Sequence, residues 1–329
     1  MSKVGFTTTI PVEIVLAAGK TPVDLNNVFI TDHDPIKMAE EAEDEGLPRN
    51  LCAWIKGIYT AVKKAEIDEV VAVTQGDCSN SHALAELFIS AGIKVHSFSY
   101  PFEKESRYDQ LKAEMKRFSK SVGTTLEDAV EYSKYTDPVR EKLRKLDKMT
   151  VEGHVSGFEN HLWLVSSTDF NSSLSTYDKD LDDFLSMTES RFLEQEGLRI
   201  GFIGVPTIFS DIYQFVESKG ARVVFNEIQR QFAIPSNDPD YVQRYVDYTY
   251  PYDVFGRVAD IKKAVEERRL DGIIHYVQSF CYRQMQDITI RKNIKCPILT
   301  IEGDAPGGID ARTKIRIESF LEMLAARKQ

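Results

Sequence analysis

Four cysteines, Cys52, Cys78, Cys281 and Cys296, carry the most distinctive chemistry in this 329-residue sequence. None sits in a CxxC pair or a zinc-finger spacing, and four are too few for a disulfide scaffold in a chain of this length. Cys78 and Cys281 each follow an apolar run, VVAVTQGDC and GIIHYVQSFC, and each precedes a helical pattern. Cys52 falls in the first turn of a helix expected from about Leu51 to Ala65, with Asn50 as its cap. In open parallel sheets, ligands gather where strands end and helix N-termini begin, and backbone N–H groups there stabilise thiolates. Three soft thiolates on separate loops suit an iron–sulfur cluster held across a cleft better than a structural zinc, and three ligands leave one iron open to water or a substrate oxygen. The competing reading makes each cysteine a small buried hydrophobe. Cys296, which opens a strand at the opposite end, is read that way.

The elements that must position these thiols alternate between strand and helix. Phe6–Ile10 reads as a first strand, Pro11 as the start of a helix ending at Gly19, and Asn27–Thr31 as a second strand. Glu69–Thr74, a turn at Gly76–Asn80, a helix over Ser81–Ala91 and a strand at Lys94–Ser99 complete an N-terminal α/β domain, residues 1–102. Residues 103–197 are rich in Lys, Glu and Asp on long helical periods and read as a helical connector with solvated charged faces. Strand, turn and helix return at RIGFIGV, GARVVFNE, DGIIHYV and CPILTIEGD, ending in an amphipathic helix over Ala311–Ala326, which gives a C-terminal α/β domain at residues 198–329. The plan is therefore α/β, with two open parallel sheets.

Forty-one basic against fifty-one acidic residues leave a net charge of -10, which disfavours nucleic acid and anionic membranes as partners. No apolar run approaches the roughly 20 residues that cross a bilayer, and the N-terminus lacks a basic region leading into an apolar core, so a cytoplasmic location is expected.

Several strings resemble the 2-hydroxyacyl-CoA dehydratase D-component family, whose relatives include benzoyl-CoA reductase subunits. They are IPVEIVLAAGKTPV, NLCAWIKG, VVAVTQGDCSNS, GARVVFNE, DGIIHYVQSFCYRQ and CPILTIEGDAPGGIDARTKIRIESFLEML, in order along nearly the whole chain. The resemblance implies two Rossmann-like, flavodoxin-like domains with Cys52, Cys78 and Cys281 ligating one four-iron four-sulfur (4Fe-4S) cluster per subunit in the cleft between them. It implies an oxygen-free setting and an ATP-dependent iron–sulfur activator that injects single electrons. These pass to an acyl-CoA thioester, whose ketyl radical anion expels the adjacent hydroxyl in dehydratases, whereas reductases leave the electrons in the product. A homologous second subunit, or a second copy, is the implied partner. The alternative is an electron-transfer or cluster-scaffold subunit with no substrate site of its own. A third reading, a metal-free α/β small-molecule binder, predicts colourless protein.

Glu13, in the family's PVE string, is the candidate catalytic residue, as a proton relay or as a neighbour of the open iron; otherwise it is an exposed carboxylate at a helix start. Gln278 and Ser279 either bond to cluster or substrate or simply form the turn. His82 reads as structural or cleft-facing, and His275, inside a strand, as core. The glycines of EGDAPGGID and GVPT lack the GxxxxGK[ST] order of a phosphate loop and read as lining or tight packing.

Overall fold

The computed structural model describes residues 2–193 and 197–328. Residues 194–196 of the expected connector, and the two terminal residues, lie outside the described residues.

The chain divides into two units, each built from three separate stretches. The first comprises Met1–Glu141, Val165–Asp180 and Phe232–Asp253; the second comprises Lys142–Leu164, Leu181–Gln231 and Val254–Gln329. The first holds β1 (Lys3–Phe6), β2 (Thr21–Asp24), β3 (Glu69–Gln75) and β4 (Lys94–Ser99), hydrogen-bonded in the order β2-β1-β3-β4 and parallel throughout. The second holds β5 (Leu198–Gly204), β6 (Ala221–Asn226), β7 (Gly272–Gln278) and β8 (Ile298–Gly303) in the order β6-β5-β7-β8, again parallel. The protein is thus α/β, with two Rossmann-like sheets of the same strand order. Helical crossovers cover both faces of such a sheet, so its central strands are buried and mostly apolar. All seven residues of β7 are buried. Ile203, Val224, Phe225, Ile261, Ile273 and Ile290 form the second unit's core, while Val4, Phe6, Val70, Val71, Phe29 and Phe98 are fully buried in the first.

In both sheets the strand order reverses between the first strand and the third, the place where open parallel sheets gather ligands beyond the strand ends. The loop Thr7–Pro11 after β1 and the turn after β3 flank it in the first unit; the loops after β5 and β7 flank it in the second.

Two strand expectations move. The first strand is Lys3–Phe6: Thr7 still donates its N–H to Val71 O at 3.2 Å, but its carbonyl accepts Asn26 Nδ2 at 3.0 Å and its Oγ1 accepts the Val73 N–H at 3.1 Å. Asn27–Thr31 is not a strand: Asp24 caps a helix at Leu25–Ile30 by accepting the Asn26 N–H at 2.9 Å, and the strand is the preceding Thr21–Asp24. Between residues 103 and 193 the chain is helical, as its charge periodicity predicts, with helices Arg107–Val122, Leu126–Glu152, Gly157–Ser166 and Leu174–Thr188. Among the described residues no helix is long and apolar enough to cross a membrane.

The stretch Val165–Asp180 straps onto β2. Phe170, Asn171 and Ser172 occupy left-handed backbone consecutively, with φ of 52°, 48° and 62°, at about 1–2 kcal/mol each for residues other than glycine. Holding them are the fully buried Phe170 ring, the Ser172 hydroxyl donating to Pro22 O, and Asp169, whose carboxylate accepts the Asp24 N–H at 2.8 Å and the Asn171 N–H at 3.0 Å. Burial, reinforced by the Asp24 charge, pushes the Asp169 carboxyl up to about 7, and burial raises Asp24 as well. Both groups hold their protons more tightly folded than unfolded. The Asp169 contribution is therefore complete below pH 4 and is lost as pH rises through 7. Wild-type protein should lose up to about 4 kcal/mol relative to Asp169→Asn between pH 4 and 8, read as the pH dependence of urea unfolding. His161, which burial pushes down to about 4, titrates with the opposite slope and cancels in this comparison. Parallel curves for the two proteins would refute the assignment.

Candidate functional site

Cys78 lies in the turn between β3 and the helix Asn80–Ser90, at the reversal point of the first sheet. The Asn80 N–H points at its sulfur, 3.5 Å away, and the Ser81 N–H donates to its carbonyl at 3.0 Å. Gly76 makes the turn possible. Its φ is +95°, and a Cβ there would stand 2.8 Å from Pro251 Cβ and 2.9 Å from Tyr100 Cβ. His82 is exposed, and its Nε2 bonds to Thr74 O at 2.7 Å, tying the helix start back to the strand end.

Cys52, 8% exposed, is the N-cap of the helix Ala53–Lys64, whose third and fourth residues, Ile55 and Lys56, donate their N–H groups to its carbonyl at 3.0 and 3.2 Å. That helix leads through a short turn into the start of β3, so its N-terminus lies at the end of the sheet where β3 finishes. It packs closely on Leu25–Ile30: a Cβ on Gly57 would meet the Phe29 ring at 2.2 Å.

Cys281 takes the equivalent place in the second unit, after β7, where it caps the 3₁₀ turn Tyr282–Met285. It borders a small crevice shared with Gly204, Arg257, His275 and Arg283. The Arg257 guanidinium grips Glu227 through two bonds of 2.6 and 2.8 Å, and Glu227 also accepts the Gly204 N–H at 3.0 Å. His275 is core, as its place inside β7 suggests: it is 1% exposed and bonds to Asp287 through Nδ1 at 2.7 Å. Burial holds this histidine below its ordinary value, so it is neutral near pH 7. Ser279 donates to Glu302 at 2.9 Å, and Gln278 is spanned by bonds within its own sheet end. Cys296 packs against the second unit's core, and burial pushes its thiol up to about 11. The four cysteines form no disulfide.

Glu13 is not an exposed carboxylate. It is 1% exposed and accepts five hydrogen bonds: Thr136 Oγ1 (2.9 Å), Arg140 Nη2 (2.6 Å) and Arg140 Nε (3.2 Å) on Oε1, and Tyr245 Oη (2.7 Å) and Tyr241 Oη (3.1 Å) on Oε2. Burial works to raise its pKa, but the Arg140 charge and these donors overcome it and hold the carboxyl down at about 2. Arg140, 4% exposed, spends its remaining Nη1 on Ala233 O at 2.9 Å. Thr136, Arg140, Tyr241 and Tyr245 did not stand out in the sequence. The local signal was the i, i+4 spacing of Thr136 with Arg140 and of Tyr241 with Tyr245, each pair on one helix face.

The model of the family described as 2-hydroxyglutaryl-CoA dehydratase, D-component, matches residues 7–324. The chain belongs to that family. A search of curated proteins finds no match. The D-component match takes in Glu13 and all four cysteines, and family membership makes the chain a component of a dehydratase-type enzyme.

Cys52 and Cys78 belong to the first unit of this D-component chain and Cys281 to the second. Among the described residues no group of three or more His, Cys, Asp or Glu side chains is placed to hold a metal ion. The donor chemistry of the three thiols nevertheless fits an iron–sulfur group. All three are soft thiol donors; Cys52 and Cys281 are the N-caps of helical segments, and at Cys78 the Asn80 N–H is directed at sulfur. Cys296, with its raised pKa and apolar packing, does not fit.

Proposed function

We propose that this D-component chain is the iron–sulfur subunit of a radical-type acyl-CoA dehydratase or reductase, with Cys52, Cys78 and Cys281 as the protein ligands of one 4Fe-4S cluster. The observation that carries the reading is the family match over residues 7–324, which encloses two cysteine-bearing turns at corresponding points of two sheets with the same strand order.

When bound, such a cluster supplies single-electron transfer to the thioester carbonyl. The chain's own residues hold and shape the surroundings. Gly76 allows the left-handed turn that carries Cys78. Glu13, its two oxygens engaged and its pKa near 2, has no proton to give near neutral pH. In this reading its carboxylate fixes the Arg140 charge and the two tyrosines rather than donating a proton. The partners in this reading are an acyl-CoA, an ATP-dependent iron–sulfur activator and a homologous subunit or second copy, in an anaerobic cytoplasm.

Anaerobic purification tests it. Wild-type protein should be brown, carry about four iron and four sulfide per chain and give a paramagnetic signal on reduction. Cys281→Ala should lose the signal, and Cys296→Ala should keep it. Colourless wild type, or a Cys281→Ala protein with wild-type iron, would overturn the reading. Consumption of an acyl-CoA in the presence of activator then separates a substrate-bearing subunit from one that only carries electrons.

A further inference from the structure

The turns that carry Cys78 and Cys281 share a spacing, Gln75-x-x-Cys78 and Gln278-x-x-Cys281, but are stabilised differently. In the first, Gln75 is exposed and the left-handed residue is a glycine, Gly76. In the second, the left-handed residue is Phe280, with φ of +64° and a side chain 55% exposed. A bulky residue in that conformation is strained, and a half-exposed ring contributes little burial to offset the strain. Something else must hold the turn.

Gln278 is placed to do so. It is 1% exposed, yet its side chain is fully engaged: Oε1 accepts the Tyr276 hydroxyl at 2.6 Å, and Nε2 donates to Asp304 O at 2.9 Å. Its backbone carbonyl accepts the Cys281 N–H at 3.1 Å and Gln284 Nε2 at 2.5 Å. One residue thus joins β7, the loop after β8 and the turn bearing the thiol. Gly303 leaves room for the clamp, since a Cβ there would lie 2.4 Å from the Tyr276 hydroxyl oxygen. On the other side of Gln278, the Ser279 N–H donates to Gly303 O at 2.8 Å.

We propose that Gln278, clamped between Tyr276 and Asp304, is a positioning residue that holds the strained Phe280 turn and so sets the placement of the Cys281 thiol. The thiol's role rests on the iron–sulfur reading above; the clamp itself does not. Gln278→Met keeps length and loses both side-chain bonds, and Tyr276→Phe removes one of them from the far end.

The test has two readouts on the full chain. The first is hydrogen–deuterium exchange of amides 279–284 in cluster-free protein, with the Gly76–Asn80 turn as internal reference. Exchange should rise about tenfold in either variant, as expected for loss of one or two buried hydrogen bonds, and the double variant should exceed Gln278→Met by little, because both substitutions break the same bond. The reference turn should not change. The second is the paramagnetic line shape of the anaerobically prepared protein, which should change in Gln278→Met at equal iron content. Unchanged exchange in the turn refutes the clamp. Faster exchange with an identical line shape refutes the positioning of the thiol. A wild type that binds no iron removes the thiol's role but leaves the exchange result standing, so the two failures are told apart.

Discussion

Arg140→Met should lower the unfolding free energy by about 3–5 kcal/mol at pH 7. The guanidinium is the cation that bonds directly to Glu13, a carboxylate 1% exposed. Removing it leaves Thr136, Tyr241 and Tyr245 as neutral donors to a charge that burial penalises. Three hydroxyl bonds cannot replace a paired charge in a site of low dielectric. Glu13 in the variant would meet the penalty by holding a proton, so its folded pKa would rise above its unfolded value. The deficit is then largest above that raised pKa and shrinks as pH falls toward 4. Adding Glu13→Gln to Arg140→Met should recover most of the loss, since a neutral pair asks for no compensating cation. Urea unfolding of the wild type and the two variants at pH 7 and pH 4.5 checks both statements. A single-variant loss under about 1 kcal/mol would mean that the pair is structurally dispensable.

The second large effect lies at the Cys78 turn. Gly76→Ala should cost about 3 kcal/mol, combining left-handed backbone strain with overlap against Pro251 and Tyr100. Gly92→Ala is the control. Gly92 also has a positive φ, +79°, but nothing lies within 4 Å of a Cβ built on it, so only the conformational part, about 1 kcal/mol, is expected. The difference between the two variants measures how closely the loop around Pro251 and the end of β4 press on the turn. Equal costs would mean that the neighbours yield.

How much of this was readable beforehand depends on where each residue's partners lie in the chain. The positions of Cys78 and Cys281 were legible because an apolar run, a turn and a helical period are local patterns. His275 was legible as core for the same reason. Glu13 was not. The helix position seen in sequence suggested exposure, and the residues that bury and neutralise it stand 123 to 232 positions away. Asp24 and Asp169, 145 positions apart, are hidden in the same way. The misread strand at Asn27–Thr31 shows the converse: Val28, Phe29 and Ile30 favour extended structure, but one capping carboxylate at Asp24 commits the stretch to a helix. Gln278 and Gln75 mark a further limit. An identical spacing to cysteine conceals that one glutamine is buried and clamped while the other faces solvent.

Each sheet is filled by its own aliphatic layer, with valines and isoleucines of the central strands buried. If the cluster proposed above is lost to air, the apolar packing of the two sheets, which uses none of the three proposed ligand cysteines in the second unit's core, is the part of the chain expected to persist.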